Sequence, residues 1–298
     1  MSAMPVHTFS IVACDLERGE WGVAVASRFL AVGALCAWAQ AEVGAVATQS
    51  WIKASHGEHG LGLMSEGLSA PEALERLLAA DEGEAQRQLA LIDREGRTAT
   101  HTGDRCIGWA GDRTGEGYAV QGNMLASGET ITALAETFES TPELSLGDRL
   151  MRALAAGDAA GGDRRGKQAA ALLVVGAGRG YGGADIAVDL RVDDHPEPVA
   201  ELERLFELHE LYFGSTPEDR WIPVDDGLRG ELVDRLGALG HASGDLAADL
   251  ETWAGIVNLE ERVRGADRID PVVLDYLRGE GEEASYELEE EARRGPGT

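Results

Sequence analysis

The chain has 298 residues, with 53 acidic side chains against 26 basic ones and a formal net charge of -27 at pH 7. A field of that sign repels phosphate and excludes nucleic acid as a partner class. With Lys53 and Lys167 its only lysines, the chain reads as a halophilic acidic protein of a salty cytoplasm, where counter-ions screen the self-repulsion.

The segment MSAMPVHTF lacks the basic-then-apolar order of a signal peptide, and no apolar run is long enough to span a bilayer. Cys14, Cys36 and Cys106 are widely spaced and odd in number, which predicts reduced thiols rather than a disulfide framework or a zinc site. Thr8 to Cys14 and Trp21 to Phe29 read as strands joined by a turn at Asp15 to Glu20. Leu35 to Gln40 and Val43 to Trp51 form a second joined pair. Four successive strands predict an antiparallel meander. Their small or apolar residues on both faces predict a sheet covered on both sides.

His56-Gly-Glu-His59 reads as a loop or a helix start. Ser69 and Glu72, with Pro71 between them, form a capping box that opens a helix. Gln88 to Ile92 and Arg97 to Thr102 predict a hairpin, and Tyr118 to Gln121 a strand. Ile131, Leu134, Ala135 and Phe138 lie at helical spacing, and Leu146 to Ala156 marks a further helix. Ala169 to Val175 and Ile186 to Val192 are late strands on either side of a glycine-rich turn with no phosphate-loop pattern. A helix from Pro198 to about Tyr212 closes the domain. The strands do not alternate with helices, so a doubly wound nucleotide fold is excluded.

Gly214 to Arg220 reads as a linker. Three short helical patterns follow, around Leu228, Leu232 and Leu236, around Leu246, Leu250 and Trp253, and after Asp270-Pro271. The domains expected are 7–213, a small all-α domain at 219–280 and a disordered acidic tail at 281–298.

Thr-Phe-Ser-Ile-Val-Ala, a turn, and Trp-Gly-Val-Ala-Val-Ala-Ser-Arg make a hairpin that begins on Thr8. This opening resembles proteasome-type subunits and other N-terminal-nucleophile (Ntn) hydrolases. His7–Ala13, Gly22–Phe29, Val43–Gln49, Gly117–Asn123, Gly161–Val175 and Val188–Pro198 resemble more closely an uncharacterised family of that superfamily, domain of unknown function 1028. The resemblance implies an α+β fold, a four-layer α/β/β/α sandwich followed by the small helical domain. It also implies a hydrolase of a C–N bond in a small amide or peptide-like substrate, with Thr8 as nucleophile. The base is then the α-amine of Thr8, which titrates near about 8 once free, so the His7–Thr8 bond must be cut. No cofactor or metal is needed. A homo-oligomer is a further expectation.

Arg28, at the end of the second strand, would favour a neutral amine by like-charge repulsion, or is a surface arginine. Asp163 resembles the aspartate that steadies the nucleophile in proteasome-like subunits, or is a turn residue. Asn123 is a candidate N–H donor to an oxyanion, or a cap. The lysine that proteasome-like enzymes carry at their third strand is absent near Gly33 and Ala34, and Lys53 comes later. Trp221, Pro223, Trp253 and Glu260-Glu-Arg262 resemble a small peptidoglycan-binding-like domain, with oligomerisation or docking as alternatives. The rival functions are a non-catalytic binding scaffold and a metal-dependent hydrolase using His56 and His59.

Overall fold

The structure is a computed structural model that describes residues 8–279. The segment before Thr8 and the predicted acidic tail at 281–298 lie outside the described residues. The chain divides into two compact units between Phe206 and Glu207.

The first unit begins with β1 (Thr8–Asp15) and β2 (Glu20–Ser27). The chain continues through α1 (Gly33–Cys36), β3 (Ala37–Gln40), β4 (Gly44–Ser50), α2 (Ser55–Ser65) and α3 (Ala70–Ala79). Then come β5 (Arg87–Asp93), β6 (Thr98–Thr102), β7 (Trp109–Gly115), β8 (Tyr118–Leu125), α4 (Glu129–Glu139) and α5 (Leu146–Ala159). β9 (Ala169–Gly176), β10 (Ile186–Val192) and α6 (Pro198–Phe213) complete it, the division falling inside α6.

The strands form two sheets, one in the order β10-β9-β2-β1-β8-β7 and one in the order β3-β4-β5-β6. Every pairing is antiparallel. The predicted meander is therefore corrected: β1 and β2 belong to the first sheet, β3 and β4 to the second. The connection after Ser27 contains α1 and is long enough to carry the chain from one sheet to the other. Strand periodicity reports which faces are buried and not which sheet a hairpin joins.

The period-two rule explains the core. Phe9, Ile11 and Ala13 on one face of β1 pack with Leu134 of α4, Leu150 and Leu154 of α5 and Leu202 of α6. Val12 and Cys14 on the other face pack with Ala45, Ala47, Ala90 and Ile92 of the second sheet. The second sheet turns Val46, Leu89 and Leu91 toward Leu61 and Met64 of α2 and Leu74 and Leu77 of α3. Each sheet thus meets the other on one face and carries helices on its opposite face, a mixed α+β body.

The capping box at Ser69 and Glu72 forms as its spacing predicts. Two elements carried little signal. β7 is a largely exposed edge strand, Trp-Ala-Gly-Asp-Arg-Thr-Gly, without apolar alternation. α2 contains three glycines, which weaken helix propensity, yet the fold needs one of them. A Cβ on Gly57 would lie 2.2 Å from the Trp38 ring.

The second unit contains β11 (Ile222–Pro223), α7 (Asp226–Ala238), α8 (Leu246–Ile256), β12 (Arg268–Ile269) and α9 (Pro271–Leu277). Leu232, Leu236, Leu250, Trp253 and Leu274 form its core. Asp225, Asp245 and Asp270 cap the three helices, as acceptors for first-turn N–H groups. The predicted all-α character is modified by a two-residue pairing of β11 with β12. Trp253 lies in the core. Among the described residues, no helix is long and apolar enough to cross a membrane.

Candidate functional site

Register sets the first relationship at the site. Thr8 lies opposite Ser27 on β2 and opposite Asn123 on β8. Directly opposed residues share a face, so Ser27, Thr8 and Asn123 form one row. The next row on that face holds Ser10 and Gln121, in register with each other. Farther along, the same face carries Val12, Cys14 and Ala119. The space between the sheets is therefore apolar at one end and polar at the end where β1 begins.

The polar end is a connected network. The Thr8 hydroxyl donates to Ser27 Oγ at 3.2 Å. Ser10 Oγ donates to Gln49 Oε1 at 2.7 Å. Gln49 Nε2 donates to the Thr8 carbonyl at 3.3 Å and to Gln88 Oε1 at 2.8 Å. Asn123 Nδ2 also donates to Gln88 Oε1, at 3.0 Å. Gln88 Nε2 reaches the Gly122 carbonyl at 2.8 Å and Thr102 Oγ1 at 2.9 Å, while Gln121 Nε2 reaches Ser10 Oγ and the Ala47 carbonyl. Thr8, Ser10, Gln49, Gln88, Gln121 and Asn123 are all buried. Asn123 Oδ1 and Gln121 Oε1 are buried and accept no hydrogen bond, although buried acceptors are nearly always paired.

Asp163 anchors the end of β2. Its carboxylate accepts the backbone N–H of Arg28 at 2.9 Å and bonds from the Arg165 backbone and guanidinium. Asp163 also bridges Leu125, two residues past Asn123. The exposed Arg28 turns Nη1 to the Arg165 carbonyl at 3.0 Å. Phe9, Ser27, Asp163 and Lys167 border a small cavity of about 10 Å³, room for a single water. The four sequence candidates Thr8, Arg28, Asn123 and Asp163 thus converge on one end of the first sheet.

Sequence reasoning missed the three glutamines. The available signal was positional: Gln49 follows Ala45 and Ala47, Gln88 precedes Ala90 and Ile92, and Gln121 follows Ala119, each at period two on an inward face. Among the described residues, no carboxylate, imidazole or amine hydrogen-bonds the Thr8 hydroxyl, whose acceptor is Ser27.

Cys36 touches the network, its Sγ donating to Gln49 Oε1 at 3.8 Å. Burial, with the nearby Asp15 and Asp93, pushes the Cys14 thiol up to about 12, and burial pushes Cys36 to about 12. Neither forms the reactive thiolate. His56 and His59 gain no third ligand, since no group of three metal-ligating side chains occurs among the described residues. Lys53 sits 3.4 Å from Asp81, beside His56 on the helix-covered side of the second sheet.

The comparisons bear on residues 8–202, which match the family model described as "Family of unknown function (DUF1028)". The chain belongs to the DUF1028 family. The crystal structure of protein SPO2555 from Silicibacter pomeroyi, also assigned to DUF1028, is similar at 31% identity, with a TM-score of 0.63. The match covers 71% of this chain and 92% of that one. Residues 214–277 match the model "Putative peptidoglycan binding domain", so the DUF1028 unit is followed by a peptidoglycan-binding-like domain. No curated protein matches the chain.

Proposed function

We propose that the DUF1028 unit is an Ntn-type hydrolase of a C–N bond in a small amide or peptide-like molecule, with Thr8 as nucleophile. The observation that carries this reading is the row Ser27, Thr8, Asn123 at the polar end of the space between the sheets. The helix-sheet-sheet-helix packing supports it, being the order of an α/β/β/α Ntn sandwich. A threonine hydroxyl is a weak nucleophile and needs an adjacent base. No side-chain base touches it here, which fits a mechanism whose base is the α-amine of Thr8 after cleavage of the His7–Thr8 bond.

In this reading the amine takes the hydroxyl proton as Oγ1 attacks the carbonyl carbon. The proton passes to the leaving nitrogen, the C–N bond breaks and an ester to Thr8 remains. Water then hydrolyses the ester with the same amine as base. Donors aimed at the oxyanion supply the largest stabilisation in such chemistry. Asn123 supports this role by its position opposite Thr8, and its unpartnered Oδ1 marks a place for a substrate N–H. Asp163 and Arg28 hold the end of β2 and so position Ser27.

A second reading, a non-catalytic scaffold, is favoured by the burial of Thr8 and its bond to Ser27. Intact mass and N-terminal sequencing of protein from a high-salt host separate the two. A chain that starts at Thr8, and gains an acyl adduct there that Thr8→Ala does not gain, supports the hydrolase. An intact chain that forms no adduct supports the scaffold.

A further inference from the structure

β10 is an edge strand of the first sheet, paired with β9 on one side and, among the described residues, with no strand on the other. Such an edge offers a row of backbone N–H and C=O groups to another chain. The direction of that row is set at the end of the strand. The Asp193 carbonyl points away from β9, since it accepts the Ala31 N–H at 3.0 Å. Backbone groups alternate in direction along an antiparallel strand. Those of Asp189 and Arg191 therefore also point outward, while those of Leu190 face Leu172 of β9.

The side chains of the same two residues carry opposite charges and are exposed. Arg191 Nε and Nη2 donate to the Asp189 carboxylate, each at 2.9 Å. A guanidinium has five N–H groups, so this pair leaves donors for a second carboxylate. Leu190, between them, lies on the opposite face, half-buried against the helix-side core. The other edge of this sheet, β7, has no such row, because Asp112 and Arg113 are consecutive and lie on opposite faces.

We propose that β10 is where two copies of this chain join, strand to strand and antiparallel, about a two-fold axis at Leu190. In that register residue 189 of each copy lies opposite residue 191 of the other. The outward backbone groups of both residues make the ladder, and the symmetry opposes Asp189 to Arg191 twice. Centring the pairing on 189 or on 191 instead would oppose like charges. The ladder ends where Ala31 occupies the Asp193 carbonyl. Residue 193 falls opposite residue 187 of the second copy, inside the irregularity of β10 between Ile186 and Val188. Beyond that point the rotation carries the exposed Ile186 of one copy toward the corner that holds the exposed Leu30 of the other. Each copy has a net charge of -27, so repulsion opposes the join in dilute salt. At about 1 M salt the screening length falls to about 3 Å, which confines the interaction to directly opposed charges. The join does not involve Thr8 and stands whether or not the proposed chemistry exists.

The test is sedimentation velocity of the full chain in about 1 M KCl, from about 1 to about 200 μM. A concentration-dependent shift to the mass of two chains is expected. Asp189→Arg and Arg191→Asp each oppose like charges, and each should sediment as a single chain. An equimolar mixture of these two variants should recover the dimer, because a copy with two cations meets a copy with two anions. The double variant Asp189→Arg/Arg191→Asp should recover it too, because the swap keeps opposite charges opposed. The proposal is overturned by a parent that stays a single chain at about 200 μM. It is equally overturned by single variants that dimerise like the parent, or by a loss that the mixture or the double variant fails to restore.

Discussion

Gln49 on the second sheet donates its side-chain amide to the backbone carbonyl of Thr8 on the first, at 3.3 Å. The two sheets are thereby tied by a polar bond at the residue where β1 begins, at the end where their apolar interface gives out. Gln88 extends the tie, since its Oε1 accepts from both Gln49 and Asn123. The candidate site is therefore part of the packing between sheets, and its polarity is a structural liability unless every member stays paired.

Replacing Gln88 by leucine preserves volume and removes that shared acceptor. The Asn123 amide loses its partner, and Gln49 Nε2 keeps only the Thr8 carbonyl. The expected cost is about 2–4 kcal/mol in denaturant unfolding. Gln49→Leu and Gln88→Leu should also couple, the double variant costing less than the sum of the singles. Additive losses would mean that the network is not a unit.

Gly57 and Gly62 lie on the same helix and should respond in opposite directions to alanine. Alanine is favoured over glycine in a helix interior by about 1 kcal/mol. Gly62 is exposed and its Cβ would meet nothing within 4 Å, so Gly62→Ala should stabilise by nearly that amount. A Cβ on Gly57 would sit 2.2 Å from the Trp38 ring. Moving that ring endangers the bond from Trp38 Nε1 to the Leu35 carbonyl, and overpacking costs about 1–3 kcal/mol. Gly57→Ala should therefore destabilise despite its better propensity. Paired thermal melts decide, and stabilisation by both would remove the close-contact account of α2.

The same residues show what a sequence exposes and what it withholds. The strands β1, β2, β4, β5 and β9, the capping box at Ser69 and the Asp270-Pro271 helix start were legible because each follows from local periodicity or turn chemistry. The partition of β1–β2 and β3–β4 between two sheets was not, because both sheets bury both faces and leave the same pattern. α2 was obscured by glycines whose reason, the Trp38 ring at Gly57, is a tertiary contact. At the site, Thr8, Arg28, Asn123 and Asp163 were legible only through a resemblance. The glutamines that join them belong to strands distant in sequence, and only their pairing register reveals them as one network.

In the second unit the buried pair Arg262 and Asp270, at 2.9 Å, gives a sharper test of packing. Arg262 also donates to Thr216 Oγ1 and to the Leu211 and Glu210 carbonyls. Arg262→Met leaves the Asp270 carboxylate buried without its counter-charge, which costs about 3–5 kcal/mol. Adding Asp270→Asn removes the stranded charge and keeps a side chain able to cap α9, so the double variant should regain part of the loss. Hydrogen exchange of the α9 amides measures both. No recovery in the double variant would show that the lost arginine bonds, rather than the stranded charge, dominate.

Acid should weaken the first unit through His56 before it reaches the carboxylates. Burial first, then the charges of Lys53, Arg87 and His59, lower the His56 ring to about 4 against the opposing pull of Asp81. In the unfolded chain it titrates near its ordinary value of 6.5. Between those values the unfolded state binds more protons, so stability falls as pH falls, by about 3 kcal/mol over the whole window. Burial works against the ionised Asp81, yet the bonds from Arg87 and Gly83 and the charges of Arg87 and Lys53 outweigh it and hold Asp81 far below the carboxylate range. Its contribution is present above about pH 4 and is lost only at lower pH. Between pH 7 and pH 4 the melting temperature of the parent should fall more steeply than that of His56→Gln, because the variant has no ring to protonate. Parallel curves would show that His56 does not couple folding to pH.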